Sequence, residues 1–235
     1  MARYSGKRAV ILGGTAGIGL AIAKRLVEGG AEVSLTGDDP ARAAAELGSS
    51  CAHVAGPDPV GPAEGRALAA AVGERFGRVD YLFVNTSVGL PAPTEEVTEA
   101  EYDEQFALNT KGAYFAVQAL LPLIGHGGAI VFTTCAEHLP GLGVYAMTKS
   151  ALWSFAQSLS AELLDRGIRV NAVAPGSIAG VPLPPEDRAG DSRTPMGRSG
   201  SAEEVARAAL FLAADATFTT GARLPVDGGL ARFGP

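Results

Sequence analysis

The sequence predicts an α/β fold: one doubly wound parallel sheet with helices on both faces. Three observations lead to it. Strand-like and helix-like segments alternate along the whole chain. A short apolar strand runs into a glycine loop and then an amphipathic helix. No internal repeat or composition shift marks a second domain. Repeated strand–helix–strand units give a parallel sheet that must be covered on both faces.

The elements follow in order. Arg8–Leu12 is an apolar strand ending in glycines. Ile18–Glu28 is a helix with Ile18, Ile22 and Leu26 on one face, stopped by Gly29-Gly30. Glu32–Leu35 is the second strand. Asp39 is a helix N-cap followed by Pro40 at the first helical position, opening a helix over Pro40–Leu47. Gly56–Pro62 is a Pro/Gly-rich connection, and Glu64–Phe76 is helical. Tyr81–Val84 and Ala129–Thr133 are buried strands, with Glu99–Leu123 mostly helix between them. Val144–Leu164 is a long helix with Leu152, Phe155, Leu159 and Leu163 on a shared face. Arg169–Val173 is a strand leading to Pro175-Gly176. Ser177–Gly200, rich in Pro, Gly and charge, is a loop or lid, and Val181-Pro-Leu-Pro-Pro185 stiffens it. Ala202–Ala213 is the last helix, and Leu224–Val226 a short final strand.

Composition narrows the function. Hydrophobic residues at 47% and charged residues at 19% describe a chain that folds rather than a disordered one. A net charge of −6 with no basic stripe argues against nucleic acid as a partner. No secretory signal fits the N-terminus, and no apolar stretch approaches the roughly 20 residues of a membrane span. Cys51, Cys135, His53, His126 and His138 show neither disulfide-framework nor metal-ligand spacing. The expectation is a soluble cytoplasmic protein without a metal.

Two motifs carry chemistry. Gly13, Gly17 and Gly19 form G-x-x-x-G-x-G between the first strand and helix. Such a loop lets backbone approach a pyrophosphate, whose charge then sits at the helix N-terminus. A tight turn with close helix–sheet packing is the plainer explanation of the same glycines. Tyr145 and Lys149 are four residues apart near the start of a helix, hence on one face. An ammonium ion within ~4 Å of a phenol would favour phenolate by up to about 4 kcal/mol at an effective dielectric of ~20, roughly three pKa units. That would bring the tyrosine toward its working range as an acid–base group. A surface i,i+4 pair is the plainer explanation here.

With both motifs present, the chain resembles the classical short-chain dehydrogenase/reductase family over nearly its whole length. Further motifs carry the likeness: Phe76-Gly-Arg-Val-Asp80, Asn109-Thr-Lys-Gly112, Arg169-Val-Asn-Ala-Val-Ala-Pro-Gly176, Pro195-Met-Gly-Arg198 and Val226-Asp-Gly-Gly229. The resemblance implies a single Rossmann-type dinucleotide-binding domain over residues 1–235, with a substrate loop at about 177–200. It implies that Tyr145 exchanges a proton with the substrate oxygen. Lys149 would lower the tyrosine pKa and hold the nicotinamide ribose, and Asn109 would bend its helix and anchor a proton-relaying water. Gly13, Thr15, Gly17, Ile18 and Gly19 would line the pyrophosphate side of the cofactor site. Asp38, Val54 and Asn85 would meet the adenosine side. Tyr145, Lys149, Pro175, Gly176 and Ile178 would meet the nicotinamide side.

Five positions depart from the family pattern. Leu12 replaces the threonine before the first glycine. Asn85-Thr86-Ser87-Val88 replaces Asn-Asn-Ala-Gly. His53-Val54 stands where a carboxylate after the third strand meets the adenine amine. Gly180 replaces the threonine that bonds the carboxamide. At the catalytic-serine position the strand ends Thr133-Thr134-Cys135, before a loop about two residues shorter than usual. Strand alignment favours Cys135 there. Chemistry favours Thr134, because a hydroxyl donates to a developing oxyanion better than a thiol.

The expected activity is that of a ketoreductase or alcohol dehydrogenase acting on a small or polycyclic metabolite. The alternatives are a non-catalytic nucleotide-binding scaffold, or a dehydration, epimerisation or rearrangement on the same fold. Asp38 favours NAD(H) over NADP(H), because a carboxylate repels a 2′-phosphate, although Arg42 could reach one. The resemblance also implies a homo-oligomer, tetramer or dimer, with Leu152, Trp153 and Phe155 serving an interface or the core.

Overall fold

The computed structural model describes residues 2–48, 52–136, 140–179 and 194–233. Seven strands, β1 (Arg8–Leu12), β2 (Glu32–Thr36), β3 (Ala52–Gly56), β4 (Val79–Val84), β5 (Ile124–Thr133), β6 (Arg169–Pro175) and β7 (Arg223–Val226), form one sheet. Their order is β3-β2-β1-β4-β5-β6-β7, and every pairing is parallel. The winding reverses between β1 and β4. In open α/β sheets, ligands bind outside the carboxyl ends of the strands at such a switch point.

The helices are α1 (Gly17–Glu28), α2 (Pro40–Leu47), α3 (Pro62–Phe76), α4 (Glu99–Phe106), α5 (Ala113–Leu120), α6 (Gly143–Glu162), α7 (Ala202–Leu210) and α8 (Leu230–Phe233). They cover the two faces of the sheet, and β1 shows how. Ala9 and Ile11 pack with Leu20, Ile22 and Leu26 of α1 and Val205 of α7. Val10 and Leu12 point the other way, into Leu68 and Val72 of α3, Val117 and Leu120 of α5, and Leu152 and Leu159 of α6. This is the two-residue alternation of a strand buried on both sides. Leu12 is fully buried in the second cluster, so its departure from threonine is a core-packing choice.

Most expected elements lie within one or two residues of their observed bounds, and Asp39 caps α2 by accepting the Arg42 N–H at 2.9 Å. Four differences stand out. His53 and Val54 do not follow the third strand but lie inside β3, where Val54 packs against the first core cluster. β5 starts at Ile124, before Gly125-His126-Gly127-Gly128, a glycine-rich stretch that carries no strand pattern. The long helix expected over Glu99–Leu123 becomes α4, a π-helical stretch Ala107–Gly112, α5, and a short 3₁₀ turn Leu121–Leu123. The expected Ala202–Ala213 helix likewise passes into a π-helical stretch, Phe211–Asp215, after Leu210.

The ends of the Ser177–Gly200 segment meet. Ile178 and Gly200 form an isolated parallel bridge, and the hydroxyls of Ser177 and Ser199 lie 3.1 Å apart. Residues 180–193, including Gly180 and the Val181–Pro185 stretch, lie outside the described residues, as do Cys51 and His138.

Candidate active site

The carboxyl ends of β1, β2, β4, β5 and β6 share one edge, and the predicted site residues gather there. After β1 the backbone turns at Gly13, which has φ +67°; a Cβ there would lie 2.6 Å from Asn85 O. Gly19 packs so closely that a Cβ would lie 2.0 Å from Gly13 O. The glycine spacing therefore serves the tight packing. It also leaves an anion site. α1 begins at Gly17 with Ala16 as N-cap, with no side-chain cap and no acidic residue in the first turn. Its first N–H groups carry the positive end of the helix dipole without a side chain to satisfy them. A bound phosphate group fits that chemistry.

Two of the predicted adenosine-side and pyrophosphate-side residues serve the loop itself. Thr15 is buried, with its hydroxyl 3.3 Å from the Asp39 N–H, and it joins the glycine loop to the turn after β2. Asn85 donates from Nδ2 to Gly13 O at 3.2 Å, and its own N–H donates to Leu12 O. Ile18 is partly buried against the first core cluster. Asp38 is exposed just beyond β2. Arg42 points its Nε to Glu46 at 2.8 Å, so its guanidinium already has an acidic partner.

Sequence reasoning missed Asp58. It lies two residues beyond β3 and accepts the Gly13 N–H at 2.8 Å and the Thr36 hydroxyl. One carboxylate thus ties the glycine loop to the end of β2. Burial pushes its pKa up, against the lowering effect of those two hydrogen bonds, and the charge of Asp38 pushes it up further. Asp58 is thus a carboxylate that follows the third strand, while His53 and Val54 lie within it. Asp58 in Pro57-Asp-Pro59 was the visible signal, hidden in a stretch read only as connection.

The loop after β4 holds the Tyr/Lys pair. Lys149 is fully buried, and its Nζ donates to Thr86 O at 2.8 Å and to Thr133 O at 3.3 Å. Asn109 sits in the π-helical stretch with none of its surface exposed. Its Oδ1 accepts the Val88 N–H at 2.8 Å, and its Nδ2 donates to Val88 O at 2.7 Å. The same Nδ2 lies 3.1 Å from the Thr148 hydroxyl, which donates to Tyr145 O at 2.7 Å. A continuous chain of hydrogen bonds therefore joins the β4 loop to the first turn of α6.

The electrostatics correct one expectation. The ammonium group of Lys149 is not hydrogen-bonded to the phenol oxygen. Nζ lies 5.4 Å from the centroid of the Tyr145 ring and directs protons to two backbone carbonyls. Burial raises the Tyr145 pKa, and a hydrogen bond with Ser87 lowers it only in part. Burial also pulls Lys149 down to about 8. Burial thus moves the two groups in opposite directions, holding the phenol proton more tightly and the amine proton less tightly.

On the far side of the site, the Thr134 hydroxyl donates to Val173 O at 3.1 Å and is buried within the sheet. It is already engaged and is not the group presented to Tyr145. The Cys135 thiol acts electrostatically on both Tyr145 and Lys149, and its ionisation would strengthen the hold of each on its proton. Pro175 closes β6, Gly176 packs so near Asp227 that a Cβ would lie 2.8 Å from its Cβ, and Ile178 is buried beside Gly200.

Known proteins share the sequence pattern and the fold. Residues 13–231 match the family model described as enoyl-(acyl carrier protein) reductase. The sorbitol dehydrogenase of Cereibacter sphaeroides is 34% identical, over 97% of this chain and 98% of that one. A blue fluorescent protein from a metagenomic library, solved with NADPH, has a TM-score of 0.90 at 31% identity, covering 97% of this chain and 99% of that chain. The 3-ketoacyl-(acyl-carrier-protein) reductase of Brucella melitensis, solved with NADH, has a TM-score of 0.87 at 30% identity, with the same coverage. On this family match and these relatives, the chain belongs to the classical short-chain dehydrogenase/reductase family, oxidoreductases of CH–OH and C=O groups.

Proposed function

We propose that the protein is a ketoreductase or alcohol dehydrogenase using NAD(H), acting on a small or polycyclic metabolite. One observation carries the reading. Lys149 is fully buried yet held in place by Thr86 O and Thr133 O, on the same helix face as Tyr145 and at the strand edge where the uncapped N-terminus of α1 opens. A buried amine with no carboxylate partner among the described residues is costly to keep and calls for a functional reason.

The cofactor supplies the hydride, and the protein supplies position and protons. The open N–H groups at the start of α1, from Gly17 to Gly19, would hold the pyrophosphate. An ammonium group has three N–H donors. Two of those on Lys149 serve Thr86 and Thr133, which leaves the third to hold a ribose hydroxyl. Tyr145 passes its proton to the substrate oxygen in reduction and takes it back in oxidation. Asn109 keeps the β4 loop, and through Thr148 the backbone of Tyr145, in register.

NAD(H) is favoured over NADP(H). Asp38 is exposed beyond β2 and close enough to Asp58 to raise its pKa, while the guanidinium of Arg42 is paired with Glu46. Negative charge on the adenosine side opposes a 2′-phosphate. Residues 1–235 are taken as one cytoplasmic dinucleotide-binding domain. It would assemble as a dimer or tetramer through the aromatic patch of Tyr114, 42% exposed, and Phe155, whose rings are 4.7 Å apart.

The test is thermal unfolding with NADH, NADPH, NAD and NADP separately, followed by a ketone panel. A rise with NAD(H) above that with NADP(H), and turnover abolished in Tyr145→Phe with cofactor binding intact, would support the reading. No rise with any of the four at millimolar concentration would move the protein to the non-catalytic reading.

A further inference from the structure

The residue between Thr86 and Val88 has no role in the scheme above, yet it touches the centre of the site. Ser87 Oγ lies 3.2 Å from Tyr145 Oη. We propose that Ser87 is a positioning residue for Tyr145, seating the phenol oxygen and donating to it once its proton has left. The inference rests on the proton-transfer role given to Tyr145 above.

The placement of Ser87 is determined from both sides. Asn85 before it is bonded to Leu12 O and Gly13 O. The Thr86 carbonyl accepts from Lys149 Nζ. Val88 after it is held through both backbone groups by Asn109. Gly89 then lies against the tyrosine ring, where a Cβ would come within 3.3 Å of Tyr145 Cδ2. The same short loop therefore holds the lysine by a carbonyl and the tyrosine by a hydroxyl. A hydroxyl is one donor and two acceptors. Ser87 can accept from the phenol and donate to the phenolate with no movement of heavy atoms.

The neighbouring groups leave this task to Ser87. Thr134, from the end of β5, is bonded to Val173 O. Thr148 gives its proton to the Tyr145 carbonyl, not to the phenol. Among the described residues, the titratable groups acting on the ring are Lys149 from the same helix and Cys135 from beyond β5. Lys149 Nζ donates to two backbone carbonyls rather than to the phenol oxygen, and a Cys135 thiolate would oppose ionisation. Among the described residues, Ser87 is the hydroxyl bonded to Tyr145 Oη.

The experiment is a pH titration of tyrosinate ultraviolet absorbance in the ligand-free protein. Wild type, Ser87→Ala and Ser87→Thr are each compared with the same protein carrying Tyr145→Phe, which isolates one of the five tyrosines. Ser87 is exposed, so its truncation leaves no cavity, and circular dichroism checks that each variant is folded. A hydrogen bond to a charged group at an exposed site is worth about one pH unit. Ser87→Ala should raise the Tyr145 midpoint by about that much, and Ser87→Thr should restore it. A midpoint unmoved in Ser87→Ala, or moved equally in Ser87→Thr, overturns the proposal. The titration needs neither cofactor nor substrate. Failure of the proposed function would show instead as the absence of stabilisation by any nicotinamide.

Discussion

Lys149 should make the stability of this protein rise with pH across a defined window. Its amine is completely buried, with two backbone carbonyls and, among the described residues, no carboxylate as hydrogen-bond partners. Burial lowers its pKa from 10.5 to about 8. The sign follows from proton counting. Between those two values the unfolded chain binds the proton more strongly than the fold does. Folding therefore releases a proton, and stability increases with pH. Lost as pH falls through about 8, this contribution is fully present only above 10.5. At ~1.36 kcal/mol per unit, the difference across the window is roughly 3 kcal/mol. The perturbation is Lys149→Met, which keeps the length and removes the titration. Urea unfolding of both proteins from pH 7 to 10.5 should show the wild type gaining about 3 kcal/mol on the variant. In thermal unfolding that corresponds to roughly 6–12 °C for a chain of this size. Any offset remaining at the alkaline end measures the lost bonds to Thr86 and Thr133. Two parallel stability curves would refute the reasoning, because they would mean that the buried amine titrates as it does in the unfolded chain.

Three further outcomes follow from the same geometry. Gly19→Ala would place a Cβ 2.0 Å from Gly13 O; the loop must open, and the variant should lose stabilisation by nicotinamide nucleotides in a thermal-shift assay. Asn109→Leu removes both bonds to Val88 and the link to Thr148, so it should cost about 3 kcal/mol in a urea titration; a loss under ~1 kcal/mol would mean the β4 loop is held by other means. Asp58 has a pKa raised above its ordinary 3.8 by burial. The stability it contributes is therefore complete below that value and lost as pH rises through its folded value. Wild type should become progressively less stable relative to Asp58→Asn as pH increases from 4 to 7, and a difference that shrinks instead would reverse the assignment.

Much of the fold was legible because its signals are local. The strand–glycine–helix unit, the Asp39-Pro40 helix start and the long α6 with Tyr145 and Lys149 each declare themselves within a dozen residues. A break at Asn109 was implied by the family likeness, whereas its π-helical form and its packing against a remote segment came from the tertiary structure. A Cβ at Gly112 would lie 1.9 Å from Pro59 O, a backbone atom remote in sequence. β3 was blurred because its five residues are only partly buried and sit at the sheet edge, where no strong apolar pattern is needed.

Within the site, the sequence alone determined which side chains share a helix face and which glycines open a loop, because a helix repeat and a missing Cβ act over a few residues. Only the tertiary structure decided where the protons point. Lys149 turns to Thr86 and Thr133 rather than to the phenol, Thr134 turns inward to Val173, and Ser87 and Asp58 become the polar partners at the tyrosine and the glycine loop. Those choices depend on hydrogen-bond partners tens of residues away and on burial, which sets the charge of every group concerned.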